Sequence, residues 1–349
     1  MRILGIESSC DDTSVALVEK TKAGFKILSE KTASQIDIHK AYGGVVPEIA
    51  ARAHADAMLP IVEEVLKNQK KPDCIAVTAG PGLITSLLVG VETAKTLSYL
   101  LDIPLVAVNH IEGHIHSVEL SALPEADSRV QFPALCLVVS GGHTELILMR
   151  DHSDYERIGK TLDDAAGECF DKVAKLVDFD YPGGPKISKA AESGDPNAIS
   201  FPRPMLDQDN FNFSFAGLKT SALYWLRDHE QQESERYTLN AKRLSDFCAS
   251  FEQSIVDVLV AKTLSAASIY NPKSILLVGG VSANKKLRET LGSAIQREFP
   301  SITYRRSPIT HAMDNAAMIA AAGSYAAERE SFTPWRSLAA DPNWILNSR

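Results

Sequence analysis

Ile3-Leu4-Gly5-Ile6-Glu7-Ser8-Ser9-Cys10-Asp11-Asp12-Thr13-Ser14-Val15-Ala16-Leu17-Val18-Glu19 sets two apolar runs on either side of a small, acidic turn. Such runs, joined by hydroxyl and acidic residues, suit a β-hairpin with an exposed tip. The pattern returns over residues 134–149, with apolar residues 134–139, then Ser140-Gly141-Gly142-His143-Thr144, then the apolar-rich return 145–149. One such hairpin early in each half predicts a duplicated α/β unit whose tips face each other across a central cleft. The tip Ser8–Thr13 suits phosphate or metal-phosphate handling, although a merely polar turn has the same composition. At the second tip, Gly141 and Gly142 let backbone N–H groups close on an anion.

Between the hairpins, residues 25–29 read as a third strand. Residues 48–68 have helical periodicity through Ile49, Ala53, Met58, Ile61, Val65 and Leu66, with Pro60 expected to bend or divide the helix. The apolar run 74–78 ends in Ala79-Gly80-Pro81-Gly82-Leu83 before a helix over 85–101. Open α/β sheets bind ligands at such strand–turn–helix junctions, but the Walker lysine and the GxGxxG spacing are both missing. A buried strand over 105–108 then leads into Asn109-His110-Ile111-Glu112-Gly113-His114. A helix starting near Asn109 sets His110 and His114 one turn apart, Cβ atoms roughly 5–6 Å apart. That spacing offers two imidazoles to one metal ion; packed or solvent-facing histidine pairs share it.

The second half predicts a helix over 161–177 carrying Asp163, Asp164, Glu168 and Asp171, then a stiff loop, Tyr181-Pro182-Gly183-Gly184-Pro185. Residues 203–212 read as irregular, 215–227 as a helix and 230–235 as a solvated charged loop. A long helix over 240–267 has a core stripe of Leu244, Phe247, Phe251, Ile255 and Leu259. The strand 274–278 ends in Gly279-Gly280-Val281-Ser282-Ala283-Asn284, where glycines admit a flat ring and Asn284 can bond a hydroxyl or base edge. A helix over 285–298 and a strand over 302–305 precede an alanine-rich helix running to about residue 329. Asp314 stands at its start, where capping is the ordinary role.

With 36 basic and 44 acidic side chains, the net charge of −8 argues against a chain that coats nucleic acid unaided. It leaves room for a local basic patch, the densest being Lys285, Lys286, Arg288, Arg297, Arg305 and Arg306. Five scattered cysteines without a CxxC point to reduced thiols and a cytoplasmic chain. No apolar run reaches the roughly 18 residues that span a bilayer, and the N-terminus reads as a strand, not a signal peptide.

Glu7-Ser8-Ser9-Cys10-Asp11-Asp12-Thr13, Gly43-Gly44-Val45-Val46-Pro47-Glu48, Gly80-Pro81-Gly82, His110-xxx-His114, Ser140-Gly141-Gly142-His143-Thr144, Asp171-Lys172, Tyr181-Pro182-Gly183-Gly184-Pro185, Gly279-Gly280-Val281-Ser282-Ala283-Asn284 and Asp314-Asn315-Ala316-Ala317-Met318 together resemble the TsaD/Kae/Qri family of tRNA N6-adenosine threonylcarbamoyltransferases. The resemblance spans nearly the whole chain. It implies a two-lobed actin-like/sugar kinase/Hsp70 (ASKHA) fold, with residues 1–115 plus about 312–349 in one lobe and 116–311 in the other. It implies transfer of a threonylcarbamoyl group from threonylcarbamoyl-AMP to the exocyclic amine of adenosine 37, in tRNAs reading codons that begin with A. His110, His114 and Asp314 would hold one divalent metal per subunit, Fe2+ or Zn2+. Val138, Val139, Ser140, Gly141, Gly142, Asp171, Gly184 and Asn284 would hold the adenylate. Archaeal and eukaryotic members carry a metal-binding tyrosine where this chain has Val138, and an asparagine where it has His143. Both departures place the chain with bacterial and organellar members, for which the implied helpers are an actin-like paralogue (TsaB), a P-loop ATPase (TsaE) and a separate synthase supplying the adenylate.

An exocyclic adenine amine is a poor nucleophile, so Asp11 and Asp12 are the candidates for a general base or for orienting the substrate. Gly141 and Gly142 would stabilise charge on the departing AMP phosphate. Three rivals stand beside this reading. A metal-dependent glycoprotein endopeptidase lacks its HExxH: Glu112 is two residues after His110, about 200° round a helix. A sugar kinase or ATPase of the same fold would have no need of the histidine pair. A non-catalytic assembly subunit could use the helix near 315–327 or that at 48–68 for a partner, leaving the polar tips unexplained.

Overall fold

The computed structural model describes residues 1–120, 130–229, 231–233 and 236–346. The chain divides into two compact units, Met1–Val130 with His152–Asp154 and Ser307–Arg349, and Gln131–Asp151 with Tyr155–Arg306. In the first unit, strands β1 (Arg2–Glu7), β2 (Asp12–Thr21) and β3 (Gly24–Ser34) are antiparallel neighbours. The register pairs Glu7 with Ser14, which leaves residues 8–13 as the tip. Then come α1 (Ile36–Lys40), α2 (Pro47–Leu66), β4 (Cys74–Gly80), α3 (Ile84–Leu101), β5 (Leu105–Asn109) and α4 (His110–His116). Strand β4 adds parallel to β1 and β5 parallel to β4, for the order β3-β2-β1-β4-β5.

The second unit repeats this plan with β6 (Ala134–Val139), β7 (Thr144–Asp151) and β8 (Asp154–Lys160), then α5 (Ala166–Leu176), α6 (Gly184–Ala191) and α7 (Ala216–His229). A ribbon of β9 (Gln231–Glu233) and β10 (Arg236–Thr238) precedes α8 (Ala241–Tyr270), β11 (Ser274–Val278), α9 (Lys285–Glu298) and β12 (Thr303–Arg306). The sheet order is β12-β11-β6-β7-β8. Each sheet is therefore a meander of three strands with two parallel strands added beyond the first, which is the duplication the two hairpins foretold. The chain then returns to the first unit as α10 (Ala316–Glu328).

Alternation along the strands builds three layers in the first unit, because successive side chains point to opposite faces. Ile3, Ala16, Val18, Ala76, Val106 and Val108 pack with α10, whereas Leu4, Ile6, Val15 and Val77 pack with Met58 and Ile61 of α2 and Val91 of α3. The alanines of α10 let the helix lie close on the sheet. A Cβ at Gly5 would come within 2.1 Å of the Ala316 carbonyl oxygen. Ala316, Ala317, Ala320 and Ala321 are fully buried, so α10 is core and not the partner-docking face considered above.

Several boundaries differ from expectation. Helix α2 is one element through Pro60 and is not divided in two. Residues 161–165 are not helical. Asp163 Oδ1 instead accepts the Phe215 and Ala216 N–H groups at the start of α7, and the Thr161 hydroxyl donates to the Asp164 carbonyl. The Tyr181–Pro185 stretch leads straight into α6, with Pro185 in its first turn. Part of the expected charged loop at 230–235 is strand β9; residues 230, 234 and 235 lie outside the described residues. Among the described residues, no helix is long and apolar enough to cross a membrane.

Candidate functional site

Helix α4 begins where Asn109 Oδ1 accepts the Ile111 N–H at 2.9 Å, which makes Asn109 its cap. The helix presents His110 and His114 one turn apart, ring centroids 4.6 Å from each other and planes at 75°. Asp314 Oδ1 reaches them from the chain before α10, 3.2 Å from His114 Nε2 and 3.5 Å from His110 Nε2. Asp314 is not the cap of α10. Asn315 takes that role, its Oδ1 accepting the Met318 N–H at 2.9 Å.

His110 is aimed by its neighbours. His110 Nδ1 lies 3.1 Å from Glu7 Oε2 and 3.1 Å from Ser9 Oγ, so Nδ1–H donates to the carboxylate and Nε2 faces Asp314. Glu7, fully buried at the end of β1, is itself held by the Thr78 hydroxyl at 2.6 Å and the Ser9 N–H at 2.5 Å. Burial opposes charge on His110, but the Asp314 and Glu7 carboxylates outweigh it and raise the pKa to about 9. Burial likewise pushes Glu7 up, and His110 more than reverses this and holds it below its ordinary value. The field here favours a cation, either a proton or a metal ion.

His114 supplies the sharper observation. It is fully buried, and neither ring nitrogen makes a hydrogen bond, since the 3.2 Å approach of Asp314 is not in hydrogen-bonding alignment. A buried polar group left so costs about 1–3 kcal/mol. Two imidazoles and one carboxylate with ligand atoms mutually within 4.8 Å form a set that fits a divalent ion.

At the tip of the first hairpin, Asp12 is 8% exposed, and its Oδ1 has no hydrogen-bond partner. Burial first, then the charges of Asp314, Asp11 and Glu7, raise its pKa to about 7. Asp11 is more exposed. The tip is held from α2 by His54, whose Nδ1 is 2.7 Å from Thr13 Oγ1 and whose Nε2 donates to the Cys10 carbonyl at 3.0 Å. Neither Glu7 nor His54 stood out from the chain as a site residue. The signal for Glu7 was a carboxylate ending an otherwise apolar strand.

The remaining candidates gather in the second unit. Val138 pairs in register with Val278, which sets the end of β6 beside the Gly279 turn. At Gly279 φ is +88°, and a Cβ would fall 2.5 Å from the Val139 carbonyl oxygen, so only glycine fits. Ser140 closes its turn through Ser140 N–H to the His143 carbonyl, 2.8 Å, and His143 N–H to Ser140 Oγ, 3.1 Å. Gly141 and Gly142 at the apex are exposed, with no atom within 4 Å of a Cβ at either. Asp171 Oδ1 accepts the N–H groups of Gly183, 2.7 Å, and Gly184, 3.3 Å. Asn284 Oδ1 caps α9 through the Leu287 N–H, while its Nδ2 donates to Glu252 Oε1 at 2.7 Å and Ser188 Oγ at 2.9 Å. Its amide is already engaged, and Glu252 of α8, which the sequence did not single out, is the buried polar group it bears on.

A model of the family described as TsaD, tRNA N6-adenosine threonylcarbamoyltransferase, matches residues 26–321. The protein named tRNA N6-adenosine threonylcarbamoyltransferase in Bacillus subtilis is 47% identical over 336 residues, covering 94% of this chain and 91% of its own length. Its namesake in Listeria monocytogenes is 47% identical, covering 92% and 90%. Among solved structures, HypF of T. kodakarensis has a TM-score of 0.61 at 13% identity, over 97% of this chain and 49% of that one. That likeness concerns fold alone, and with the duplicated sheets it makes this a two-lobed actin-like/sugar kinase/Hsp70 fold. With a family model over most of its length and relatives near half identity, the chain belongs to the TsaD family of tRNA N6-adenosine threonylcarbamoyltransferases.

Proposed function

We propose that the chain moves the threonylcarbamoyl group of threonylcarbamoyl-AMP to N6 of adenosine 37, in tRNAs reading codons that begin with A. In this reading His110, His114 and Asp314 hold one Fe2+ or Zn2+ ion. The observation that carries it is His114, buried with both nitrogens lacking a hydrogen bond beside Asp314 and His110 Nε2. Such an ion supplies Lewis-acid polarisation of the carbamoyl oxygen or a hold on the threonyl carboxylate.

The chain's own groups do the rest. Glu7 and Ser9 fix the His110 ring, which keeps Nε2 directed at the site. As the N6–C bond forms and the carbamoyl C–O bond to phosphate breaks, Asp12 takes the amine proton. A carboxylate with a pKa raised to about 7 is suited to that transfer near neutral pH. Gly141 and Gly142 N–H groups receive the charge building on the phosphate. Val138 and Val139, Asp171, Gly184 and Asn284 position the adenylate. The adenylate is supplied by a separate synthase, and an actin-like paralogue (TsaB) and a P-loop ATPase (TsaE) assist in the cytoplasm. The net charge of −8 suits a chain whose tRNA surface is completed by such a partner.

The test incubates the protein, with and without those partners, with threonylcarbamoyl-AMP and unmodified tRNA. Nucleoside mass spectrometry is expected to find N6-threonylcarbamoyladenosine with the native chain and none with His114→Ala, which also loses its bound metal. A metal-free His114→Ala protein working at full rate would sink the assignment.

A further inference from the structure

Two residues beyond His114, the same helix carries a second imidazole cluster that the reaction above does not use. His116, at the end of α4, is fully buried. Its Nδ1 lies 2.6 Å from Oε1 of Glu119, in the 3-10 turn Ser117–Leu120 that follows. His152, from the turn between β7 and β8, belongs to the first unit and brings a third donor. One ligand atom from each of these residues lies within 4.8 Å of the others, as in the His110–His114–Asp314 set.

The surroundings hold these donors in place. Tyr325 of α10 donates its hydroxyl to Glu119 Oε2 at 2.5 Å, which fixes the carboxylate and leaves Oε1 toward His116. The Tyr325 ring stacks on His152 with centroids 3.9 Å apart and planes at 11°, and lies 4.8 Å from His116 at 31°. Lys20 Nζ sits 3.4 Å from the other partner of this stack, the Tyr325 ring centroid, but its charge is shared with Glu328 Oε2 at 2.8 Å. Carboxylate ligands held by a hydroxyl and imidazoles held by packing are what a preorganised metal site requires.

We propose that His116, Glu119 and His152 form a second metal site, distinct from that of His110, His114 and Asp314. Two imidazoles and one carboxylate suit a borderline divalent cation such as zinc, with water completing the coordination. A metal there links α4 and its following turn to residues 152–154. It braces the helix that also carries His110 and His114, with Tyr325 of α10 steadying the carboxylate.

The probe is ZnCl2 added to the chelator-stripped full chain, followed by dialysis and elemental analysis. The native chain is expected to retain two zinc ions, and His152→Phe, which keeps a ring on Tyr325 but removes the donor nitrogen, one. Glu119→Gln, which keeps the Tyr325 contact, is expected to bind the second ion at least tenfold more weakly. His110→Ala should retain one ion and the His110→Ala/His152→Phe chain none. One ion in the native chain, or an unchanged count in His152→Phe with an unaltered far-ultraviolet spectrum, overturns the second site. An unchanged count in His110→Ala overturns the first site instead, so the two readings fail separately.

Discussion

Asp314 Oδ1 lies 3.2 Å from His114 Nε2, while the residue beside it, Asn315, caps helix α10. Adjacent residues at one helix start thus have different partners, Asp314 the histidine pair and Asn315 the helix backbone. Asp314→Asn is expected to weaken metal binding by at least tenfold and to leave thermal stability of the metal-stripped chain nearly unchanged. Asn315→Ala removes the cap and should cost about 1 kcal/mol of stability while metal is still bound. Metal analysis and urea unfolding of both variants check the division. Equal effects on both readouts would show that the two residues act as one structural unit.

His114 yields a prediction of opposite sign for stability and binding. Its two nitrogens are buried without hydrogen bonds, so the metal-free fold carries their desolvation cost. Replacing the ring by an apolar side chain of comparable size, His114→Leu, should stabilise the stripped protein by about 1–3 kcal/mol. The same change should eliminate metal and tRNA modification. Urea denaturation in the presence of a chelator measures the first effect. A destabilised His114→Leu chain would mean that the imidazole makes a contact the fold depends on.

Asp12 supplies a pH dependence. Its pKa is about 7 in the fold, against an ordinary value of 3.8, because burial disfavours the charged form and nearby carboxylates add to it. The folded state therefore binds the proton more tightly than the unfolded chain. Below about pH 4 both states are protonated and nothing is lost; between pH 4 and 7 stability falls as the pH rises, and above pH 7 the full cost is present. Asp12→Asn cannot ionise, so it should unfold like the native chain at pH 4 and be more stable at pH 8, by on the order of 2–4 kcal/mol. Chelator-stripped protein isolates this carboxyl from metal binding. If Asp12 is the base, product formation by the native chain also rises through pH 7, and Asp12→Asn loses about 10²–10⁴-fold.

Much of this architecture could be read from the chain because burial and periodicity coincide in it. The hairpin of β1 and β2 alternates between two packed faces, and the helix that opens after the Gly279–Asn284 turn spans residues 285–298 as the sequence predicts, with Asn284 found to cap it. What escaped was structure set by distant partners. Asp163 and Asp164 looked helical, but Asp163 is drawn out of a helix to cap α7, fifty residues on. Strand β8 carries Glu156 and Arg157 with little apolar signal, and it forms at the free side of β7. The histidine pair was legible from spacing on one helix. Asp314 came only through family resemblance, because its place depends on α10 crossing back to the first sheet. Glu7 and Ser9 bond the His110 ring and Thr78 holds Glu7; the chain marks Glu7 only as a carboxylate ending an apolar strand, and no pattern announces that Thr78 pairs with it.

Asn284 and Glu252 carry the last prediction. The Asn284 Nδ2 donor serves both Glu252 Oε1, 2.7 Å away, and Ser188 Oγ, and Glu252 is only 6% exposed. Asn284→Asp keeps the oxygen that caps α9 but sets a second carboxylate against a buried one. That should cost about 1–3 kcal/mol, through a lost hydrogen bond and like-charge repulsion. Adding Glu252→Gln supplies an amide donor and removes one charge, so the double variant should recover most of the loss, whereas Glu252→Gln alone only swaps one acceptor for another opposite Asn284 Nδ2 and gains nothing. A double-mutant cycle by urea unfolding measures this coupling. If Asn284 positions the adenylate, recovery of stability in the double variant will not recover the KM for threonylcarbamoyl-AMP, since the carboxylate at 284 still faces the substrate. Restoration of both together would mean that Asn284 acts only through the fold of the Gly279–Asn284 turn.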